Sequence, residues 1–278
     1  MINGLVQNWM TSPVITVTAE TSLTEARKLI DEKHIRALPV MKGDKLIGII
    51  TRRGLLRLDL STLLGGSWNE GIDMTEETVG ELMTTKPLTL LPESLIPKAA
   101  RIMLENKITA LPVTENGALV GILTNSDLLR FILVGCADLK KNIQVKNYMT
   151  DEVVTIGKDT SLLEAHRLMG TKRIRSLPVM DGDQLIGLVT RTDLMSSDPS
   201  RLASRKSQEI SIKILTQPVE KLMTKAVITI SPDAPLTDAA RLMVENKFHC
   251  LPVLDNEKKL VGIITESDLF LMVVQMFY

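Results

Sequence analysis

Hydrophobic and polar positions follow one order of patterns, which then begins again further along the chain. Residues 14–17 are all β-branched and predict a short strand. An apolar stripe at helical spacing comes next and predicts a helix that runs to about His34. Two apolar runs, at 38–40 and 46–50, predict a strand hairpin. With a second helix after Thr51, the unit is β-α-β-β-α and about 60 residues long.

Three short motifs mark four copies of this unit. Each copy opens on Met-Thr, reaches the proline of a Leu-Pro-Val triplet 29 residues later, and ends its last strand on Gly-x-x-Thr-x-x-Asp. The proline-to-threonine distance is 12 residues in three copies and 13 in the fourth, whose turn is one residue longer. Glycine replaces the aspartate in the first copy, at Gly54. The motif residues are Thr51, Thr124, Thr190 and Thr265, with Asp127, Asp193 and Asp268.

The spacing of the copies divides the chain into two pairs. Successive Met-Thr dipeptides lie 73, 66 and 74 residues apart, so the two longer intervals fall within pairs. One unit is too small to bury its apolar sheet face alone, and a neighbouring unit must cover it. We therefore predict repeats at 1–60, 78–136, 144–197 and 218–278, in modules at 1–138 and 139–278.

Composition narrows the possible classes of function. Of 278 residues, 44% are hydrophobic, and 33 basic residues balance 33 acidic ones. A chain without net charge has no general attraction to nucleic acid or to an anionic membrane. Two cysteines without a CxxC pair favour a reducing compartment. The amino terminus does not resemble a signal peptide, and no apolar stretch is long enough for a bilayer, so we expect a soluble cytoplasmic protein.

Met-Thr, Leu-Pro-Val and Gly-x-x-Thr-x-x-Asp, in this order and spacing, resemble the cystathionine-beta-synthase (CBS) domain. The likeness covers nearly the whole chain as four copies. The second pair is similar to tandem CBS proteins of the acetoin-utilisation type, and four copies are similar to the gamma subunit of AMP-activated protein kinase. The resemblance implies an α/β (α+β) fold of β-α-β-β-α repeats in two pseudo-twofold Bateman modules. It also implies clefts that bind AMP, ADP, ATP, S-adenosylmethionine or dinucleotides.

This resemblance makes the motif residues candidate ligand contacts. An ionised carboxylate can accept hydrogen bonds from two adjacent ribose hydroxyls, the role expected of the three motif aspartates. A threonine hydroxyl beside the free N–H groups of a helix start suits a phosphate or ribose oxygen, the role expected of the four motif threonines. An adenine needs an apolar slot. The first strands supply Val14, Ile15, Pro87, Leu88, Val153, Val154, Val227 and Ile228.

A local role competes with the ligand role for the same residues. Thr-x-x-Asp before an apolar run is also a capping box, which needs no ligand and only starts the second helix. One residue can serve both purposes. A similar cap is predicted at the first helix by Ser22 with Glu25 and by Ser161 with Glu164.

Basic residues recur three positions before the proline. Arg36, Arg175 and His249 stand there, where a cation would meet a phosphate, while the second repeat has Thr109. A single arginine is more often an exposed, solvated side chain than a phosphate ligand. The ligand hypothesis joins the aspartate of one repeat to the basic position of its partner. The pairs are Asp127 with Arg36, Asp193 with His249, and Asp268 with Arg175.

The two departures from the pattern then fall in one cleft. Gly54 removes its aspartate and Thr109 removes its basic residue. We expect that cleft to be empty or to take a ligand without phosphate.

These features predict a regulatory protein that is not an enzyme. Walker-type, HExxH and GxSxG motifs are missing from the sequence, and neither His34 nor His166 has a second ligand at metal spacing. Ligand occupancy would shift the packing of paired repeats and change a surface that an effector protein reads. No cofactor or metal is required, and a homodimer is as compatible as a monomer. A scaffold with vacant clefts and a nucleotide hydrolase are the alternatives.

Overall fold

Four copies of one strand hairpin organise the chain in the computed structural model, which describes residues 4–52, 54–55, 77–135, 143–196 and 215–277. The helices are α1 (Leu23–Glu32), α2 (Val79–Leu82), α3 (Ile96–Asn106), α4 (Asn125–Gly135), α5 (Leu162–Lys172), α6 (Arg191–Ser196), α7 (Leu236–Asn246) and α8 (Glu266–Phe277). The strands are β1 (Val17–Thr18), β2 (Ala37–Lys42), β3 (Lys45–Thr51), β4 (Thr84–Thr85), β5 (Ala110–Glu115), β6 (Ala118–Thr124), β7 (Ile156–Gly157), β8 (Ser176–Asp181), β9 (Gln184–Thr190), β10 (Cys250–Leu254) and β11 (Leu260–Thr265).

The Leu-Pro-Val run forms the first strand of each hairpin, in the same register every time. Its proline faces the residue that follows the motif glycine, as Pro39 faces Ile49 and Pro112 faces Ile122. All four hairpins shift register immediately after the valine of the triplet. The regular spacing of the sequence motifs is therefore a regular pattern of backbone hydrogen bonds.

The first strand of the repeat is shorter than predicted. β1 covers only Val17–Thr18 and pairs in parallel with β2, so residues 14–16 lie outside any strand. The physical reason is the path of the chain. Thr11 bridges Ile122 of the partner repeat, and residues 12–16 carry the chain from that sheet edge to its own hairpin. The predicted helix is confirmed as α1, which ends at Glu32, two residues before His34.

The predicted caps of the first helices are present in repeats 1 and 3. Ser22 Oγ accepts a hydrogen bond from the Glu25 N–H at 3.1 Å, and Ser161 Oγ accepts one from the Glu164 N–H at 3.1 Å. Each serine satisfies a backbone donor that the helix leaves without an internal partner.

The Met-Thr segment of each repeat crosses to its partner and pairs with the second hairpin strand there. Thr84 pairs with Ile49, Thr150 with Ile263, and Thr224 with Leu188, as Thr11 does with Ile122. The methionine then covers the motif glycine of that strand, because a Cβ on the glycine would come within 3.0 Å of the sulfur. The pairs are Met83 with Gly48, Met10 with Gly121, Met223 with Gly187, and Met149 with Gly262.

The two modules meet through helices of repeats 2 and 4. Helix α3 packs on α8, and α4 packs on both α7 and α8. Helices α3 and α7 precede the hairpins of their repeats, and α4 and α8 follow them. The contacts α3–α8 and α4–α7 are therefore reciprocal, as a pseudo-twofold axis requires. One buried cluster joins the two repeats, with Met103 and Ile132 from one and Met243 and Val273 from the other. The predicted α/β fold of four repeats in two modules is confirmed.

The reciprocal methionine contact predicts a steric effect at the motif glycine. In Gly262→Ala, the new Cβ would lie 2.6 Å from Met149 Sδ and 3.1 Å from the Thr150 carbonyl oxygen. Overpacking of this kind lowers the free energy of unfolding by about 1–3 kcal/mol, measurable by urea denaturation. Gly170→Ala in α5 is the control, since its Cβ meets nothing within 4 Å. It should raise that free energy by about 0.5–1 kcal/mol, and equal effects of both changes would contradict the role of the methionine.

Candidate functional site

A cavity of about 360 Å³ lies where all four repeats meet, and its volume suits a small ligand. Repeat 1 contributes Arg36, Thr51 and Arg52, and repeat 2 contributes Thr109. Repeats 3 and 4 supply the larger part of the wall. Their residues are Arg175, Leu188 and 190–193, with Thr224, 226–228 and 247–250.

Hairpin register explains why these residues come together. In each repeat, the residue after the motif threonine donates its N–H to the carbonyl of the residue three positions before the proline. These bonds are Arg52 to Arg36 (2.9 Å), Asn125 to Thr109 (3.2 Å), Arg191 to Arg175 (2.8 Å) and Glu266 to His249 (3.1 Å). These two positions of every repeat therefore lie at the same end of the hairpin. That end faces the centre of the molecule.

The capping role of the motif is present in every repeat. Oδ2 of each motif aspartate accepts hydrogen bonds from the backbone N–H and the hydroxyl of its threonine, at 2.7–2.8 Å in all three cases. In repeat 1, Thr51 Oγ1 accepts a hydrogen bond from the Gly54 N–H at 3.0 Å. The cap engages one carboxylate oxygen, so it does not by itself exclude a ligand role.

The three aspartates lie in different surroundings. Asp193 lines the cavity, together with Thr190. Asp127 is only 3% exposed, and its Oδ1 accepts a charged hydrogen bond from Arg130. Asp268 is half-buried, and this burial raises its pKa. Asp127 and Asp268, with their threonines Thr124 and Thr265, do not line this cavity.

Glu266 is the residue at the centre that sequence reasoning missed. It is 1% exposed, and its carboxylate lies 3.3 Å from the Arg36 guanidinium and 3.9 Å from that of Arg175. Asn125 Nδ2 donates to Glu266 Oε2 at 2.6 Å, the same oxygen that lies closest to Arg175, while Arg36 pairs with Oε1. The sequence hypothesis placed Arg36 with Asp127 and Arg175 with Asp268, whereas both arginines form ion pairs with Glu266. The sequence did contain a signal for this position, because the residue that follows the motif threonine differs among the repeats.

His249 lines the cavity but differs from the cation that the sequence hypothesis assumed. Burial, with the Arg175 charge as the next cause, lowers its pKa to about 4, so the ring is neutral at neutral pH. Its Nε2 lies 2.9 Å from Ser176 Oγ, which also accepts a hydrogen bond from the Cys250 thiol at 3.0 Å. A neutral imidazole can hydrogen-bond to a ligand but cannot attract a phosphate by charge.

Cationic side chains outnumber carboxylates in the cavity wall. Asp193 is the single carboxylate among the described lining residues, against five cations. Two of these cations have neutral or surface partners, since Arg191 donates to the Met169 and Ile174 carbonyls and Arg52 pairs with Asp31 at 3.4 Å. The cations are Arg36, Arg52, Arg175, Arg191 and Lys247. An anionic ligand fits this field.

The apolar residues of the first strands, which were predicted to form slots for adenine, do not all lie at the cavity. Val227 and Ile228 line the cavity beside Leu188. Ile15 and Leu88 are exposed, while Pro87 and Val153 are half-buried. Val14 packs against the apolar contact between repeats 1 and 2, and Val154 packs on the core of repeat 3.

The cleft expected to be empty opens into the same cavity as its neighbour. Thr51, whose Oγ1 accepts a hydrogen bond from the Gly54 N–H, lines the wall together with Thr109, Asp193 and His249. The sequence-based hypothesis assigned these residues to two separate clefts. The structure joins them because the modules meet at this point, so side chains of both modules line one cavity.

The CBS domain family matches residues 6–61, 79–134, 145–199 and 219–274. These four segments cover most of the chain. The chain belongs to the CBS domain family. No group of three or more His, Cys, Asp or Glu side chains within the described ranges is arranged to hold a metal ion. None of the described helices is long and apolar enough to cross a membrane.

Several archaeal proteins resemble the whole chain. Protein MJ1225 of Methanocaldococcus jannaschii is 27% identical over 269 residues, which are 92% of this chain and 93% of that protein. Its crystal structure, described as a proposed archaeal homologue of γ-AMPK, has a TM-score of 0.78 and 25% identity over 96% of this chain and 99% of that one. A 33.4 kDa protein of Thermofilum pendens is 27% identical over 92% of this chain and 86% of its own length.

A structure from Pyrococcus horikoshii shares the fold. It covers 97% of this CBS protein and 100% of its own chain, with a TM-score of 0.68 and 24% identity.

Burial of His249 predicts a pH dependence of stability. Its folded pKa of about 4 lies below the unfolded value of about 6.5. As pH falls from about 6.5 towards 4, only the unfolded chain gains the proton, so the free energy of unfolding decreases, by up to about 3 kcal/mol. Urea denaturation should show this loss to be smaller in His249→Gln than in the wild type. The exposed His34, changed to Asn, is the control. Parallel pH profiles for wild type and His249→Gln would contradict this.

Proposed function

We propose that this CBS protein is a regulatory sensor that binds an adenosine nucleotide in the central cavity and signals to a partner protein. The observation that carries the proposal is the composition of one cavity wall. It combines a carboxylate, Asp193, held by its own helix cap, with an apolar strand segment and a group of cations. Those are the chemical requirements of a ribose, an adenine and a phosphate.

Each part of the nucleotide has a partner in this arrangement. Val227 and Ile228 form the apolar slot for the adenine. Asp193 lines the cavity and is the carboxylate placed to accept hydrogen bonds from the two adjacent ribose hydroxyls. Arg36, Arg175 and the cations around them bind the phosphate. S-adenosylmethionine suits this cavity less well, because its sulfonium would face these cations.

The motif residues outside the cavity are proposed to serve equivalent clefts. Asp268 with Thr265 is the better placed of these, because it is only half-buried. Asp127 with Thr124 is less accessible, since Arg130 binds its Oδ1 and 3% of the residue is exposed. Among the proposed sites we therefore expect the cavity at Asp193 to bind most tightly.

Signalling follows from the place of the cavity in the molecule. A ligand that contacts side chains of four repeats favours the relative positions of the modules in which those contacts form. An effector protein, or a second copy of the chain, that binds the outer surface would respond to this change. We propose that this takes place in the cytoplasm. Resemblance to MJ1225, itself described as a proposed γ-AMPK homologue, supports regulation of a partner.

We propose no catalysis at this site. Hydrolysis needs a base or a metal to activate water, and His249 with a pKa of about 4 is a weak base near neutral pH. Phosphate release from ATP above background by the purified protein would contradict this part of the proposal.

Asp193→Ala should weaken AMP binding to the cavity by about tenfold or more, because charged hydrogen bonds contribute roughly 1.5–3 kcal/mol. Isothermal titration of wild type and variant measures the change. The substitution also removes a helix cap, so Ser161→Ala is the matched control. Ser161 caps α5 in the same repeat but lies outside the cavity wall. It should lower stability by about 1 kcal/mol and leave AMP affinity unchanged.

Two results would contradict the proposal. One is a wild-type protein that binds neither AMP, ADP nor ATP and whose thermal unfolding none of them shifts at saturating concentration, because a ligand of the folded state must stabilise it. The other is unchanged affinity after Asp193→Ala. The first result would favour a scaffold whose clefts take no nucleotide.

A further inference from the structure

Glu266 is a buried carboxylate that contacts one side chain from each of the other three repeats. It is the first residue of α8 in repeat 4 and is 1% exposed. Its Oε1 lies 3.3 Å from the Arg36 guanidinium of repeat 1, and its Oε2 lies 3.9 Å from that of Arg175 in repeat 3. Asn125 of repeat 2 donates a hydrogen bond from Nδ2 to Oε2 at 2.6 Å. A buried carboxylate needs partners of this kind to offset its loss of hydration.

The two arginines belong to repeats whose cores are separate. Hairpin residues of repeats 2 and 4 lie together in one buried apolar cluster. Leu38, two residues after Arg36, and Leu177, two residues after Arg175, lie in two other clusters. Within the described part of the chain, Glu266 is therefore a direct polar link between side chains from two separately packed repeats.

Both arginines line the cavity as well as contacting Glu266. Their side chains are 37% and 33% exposed, whereas Glu266 is not among the described lining residues. Two neighbouring cations repel each other, and a carboxylate that contacts both offsets this repulsion. A guanidinium has five N–H donors in a planar fork, so one edge can bind Glu266 while another binds a ligand.

We infer that Glu266 is a positioning residue that holds Arg36 and Arg175 together as one subsite for the phosphate of the nucleotide. The inference rests on the proposed nucleotide site and identifies the residue on which its recognition of phosphate depends. A long side chain that is already ordered loses less conformational entropy when it binds a ligand. Glu266 strengthens phosphate binding in this way, although its own negative charge acts in the opposite direction.

Two variants separate the position of the carboxylate from its charge. Glu266→Gln removes the ion pairs, and its amide can still pair with the amide of Asn125, whose buried Oδ1 accepts no hydrogen bond from the described residues. Asn125→Ala removes the hydrogen bond that holds Glu266 but leaves every charge in place. Glu257→Gln is the control, because it removes the charge of an exposed glutamate of the same repeat, which pairs with Lys259.

The test is isothermal titration of AMP and of adenosine into each purified protein. Adenosine lacks the phosphate, so the ratio of Kd for adenosine to Kd for AMP measures the contribution of the phosphate. We expect the wild type to bind AMP more tightly than adenosine. Glu266→Gln should lower the ratio by about threefold to tenfold, and Asn125→Ala should lower it by a smaller factor. Both should leave the Kd for adenosine nearly unchanged, and Glu257→Gln should change neither Kd.

The outcomes separate this inference from the proposed function. An unchanged ratio in Glu266→Gln, or a higher one because the lost charge strengthens AMP binding, overturns the inference and leaves the nucleotide site intact. Equal weakening of AMP and adenosine also overturns it, because Glu266 would then only stabilise the fold. If Glu266→Gln does not fold by circular dichroism, Asn125→Ala decides, and an unchanged ratio there overturns the inference. A wild type that binds neither AMP nor adenosine removes the proposed function itself.

Discussion

Exchange of the Met-Thr segments between paired repeats is the constraint on which the rest of the structure depends. Each segment leaves its own repeat, pairs with the second hairpin strand of the partner and places a methionine over the glycine there. Because the exchange is reciprocal, neither repeat can complete its sheet edge alone. A unit this small could not bury its apolar face in isolation either. Pairing is thus part of the folding of each repeat.

The pairing of repeats also places polar and charged side chains at the centre of the molecule. The hairpin register joins the residue after the motif threonine to the residue three positions before the proline, and the backbone hydrogen bond between them is the same in all four repeats. The framework is constant, while the side chains at these two positions vary. Arginine, asparagine, threonine, histidine and glutamate occupy them. One scaffold therefore brings unlike charges to a single point and forms a cationic cavity with a buried carboxylate behind it.

The motif aspartates have one structural role in common but lie in three different surroundings. All three engage Oδ2 in the same cap with their threonines. Their surroundings then differ, since Arg130 binds Asp127 and burial raises the pKa of Asp268, while Asp193 borders the cavity. The identical motif has different chemical possibilities because each repeat has different neighbours. A motif alone is therefore an incomplete description of a site.

Local pattern by itself determined the repeat, the hairpin around Leu-Pro-Val, the helix caps at Ser22 and Ser161, and the pairing of repeats into modules. These depend on contacts close in sequence or on a burial need common to every copy. Tertiary structure decided that Glu266 meets Arg36, that His249 is neutral, and that two clefts share one cavity. Those features depend on the packing of one module against the other, across up to 230 residues of sequence, and on the loss of solvent there. Neither the packing between the modules nor the loss of solvent there produces a periodic pattern in the sequence.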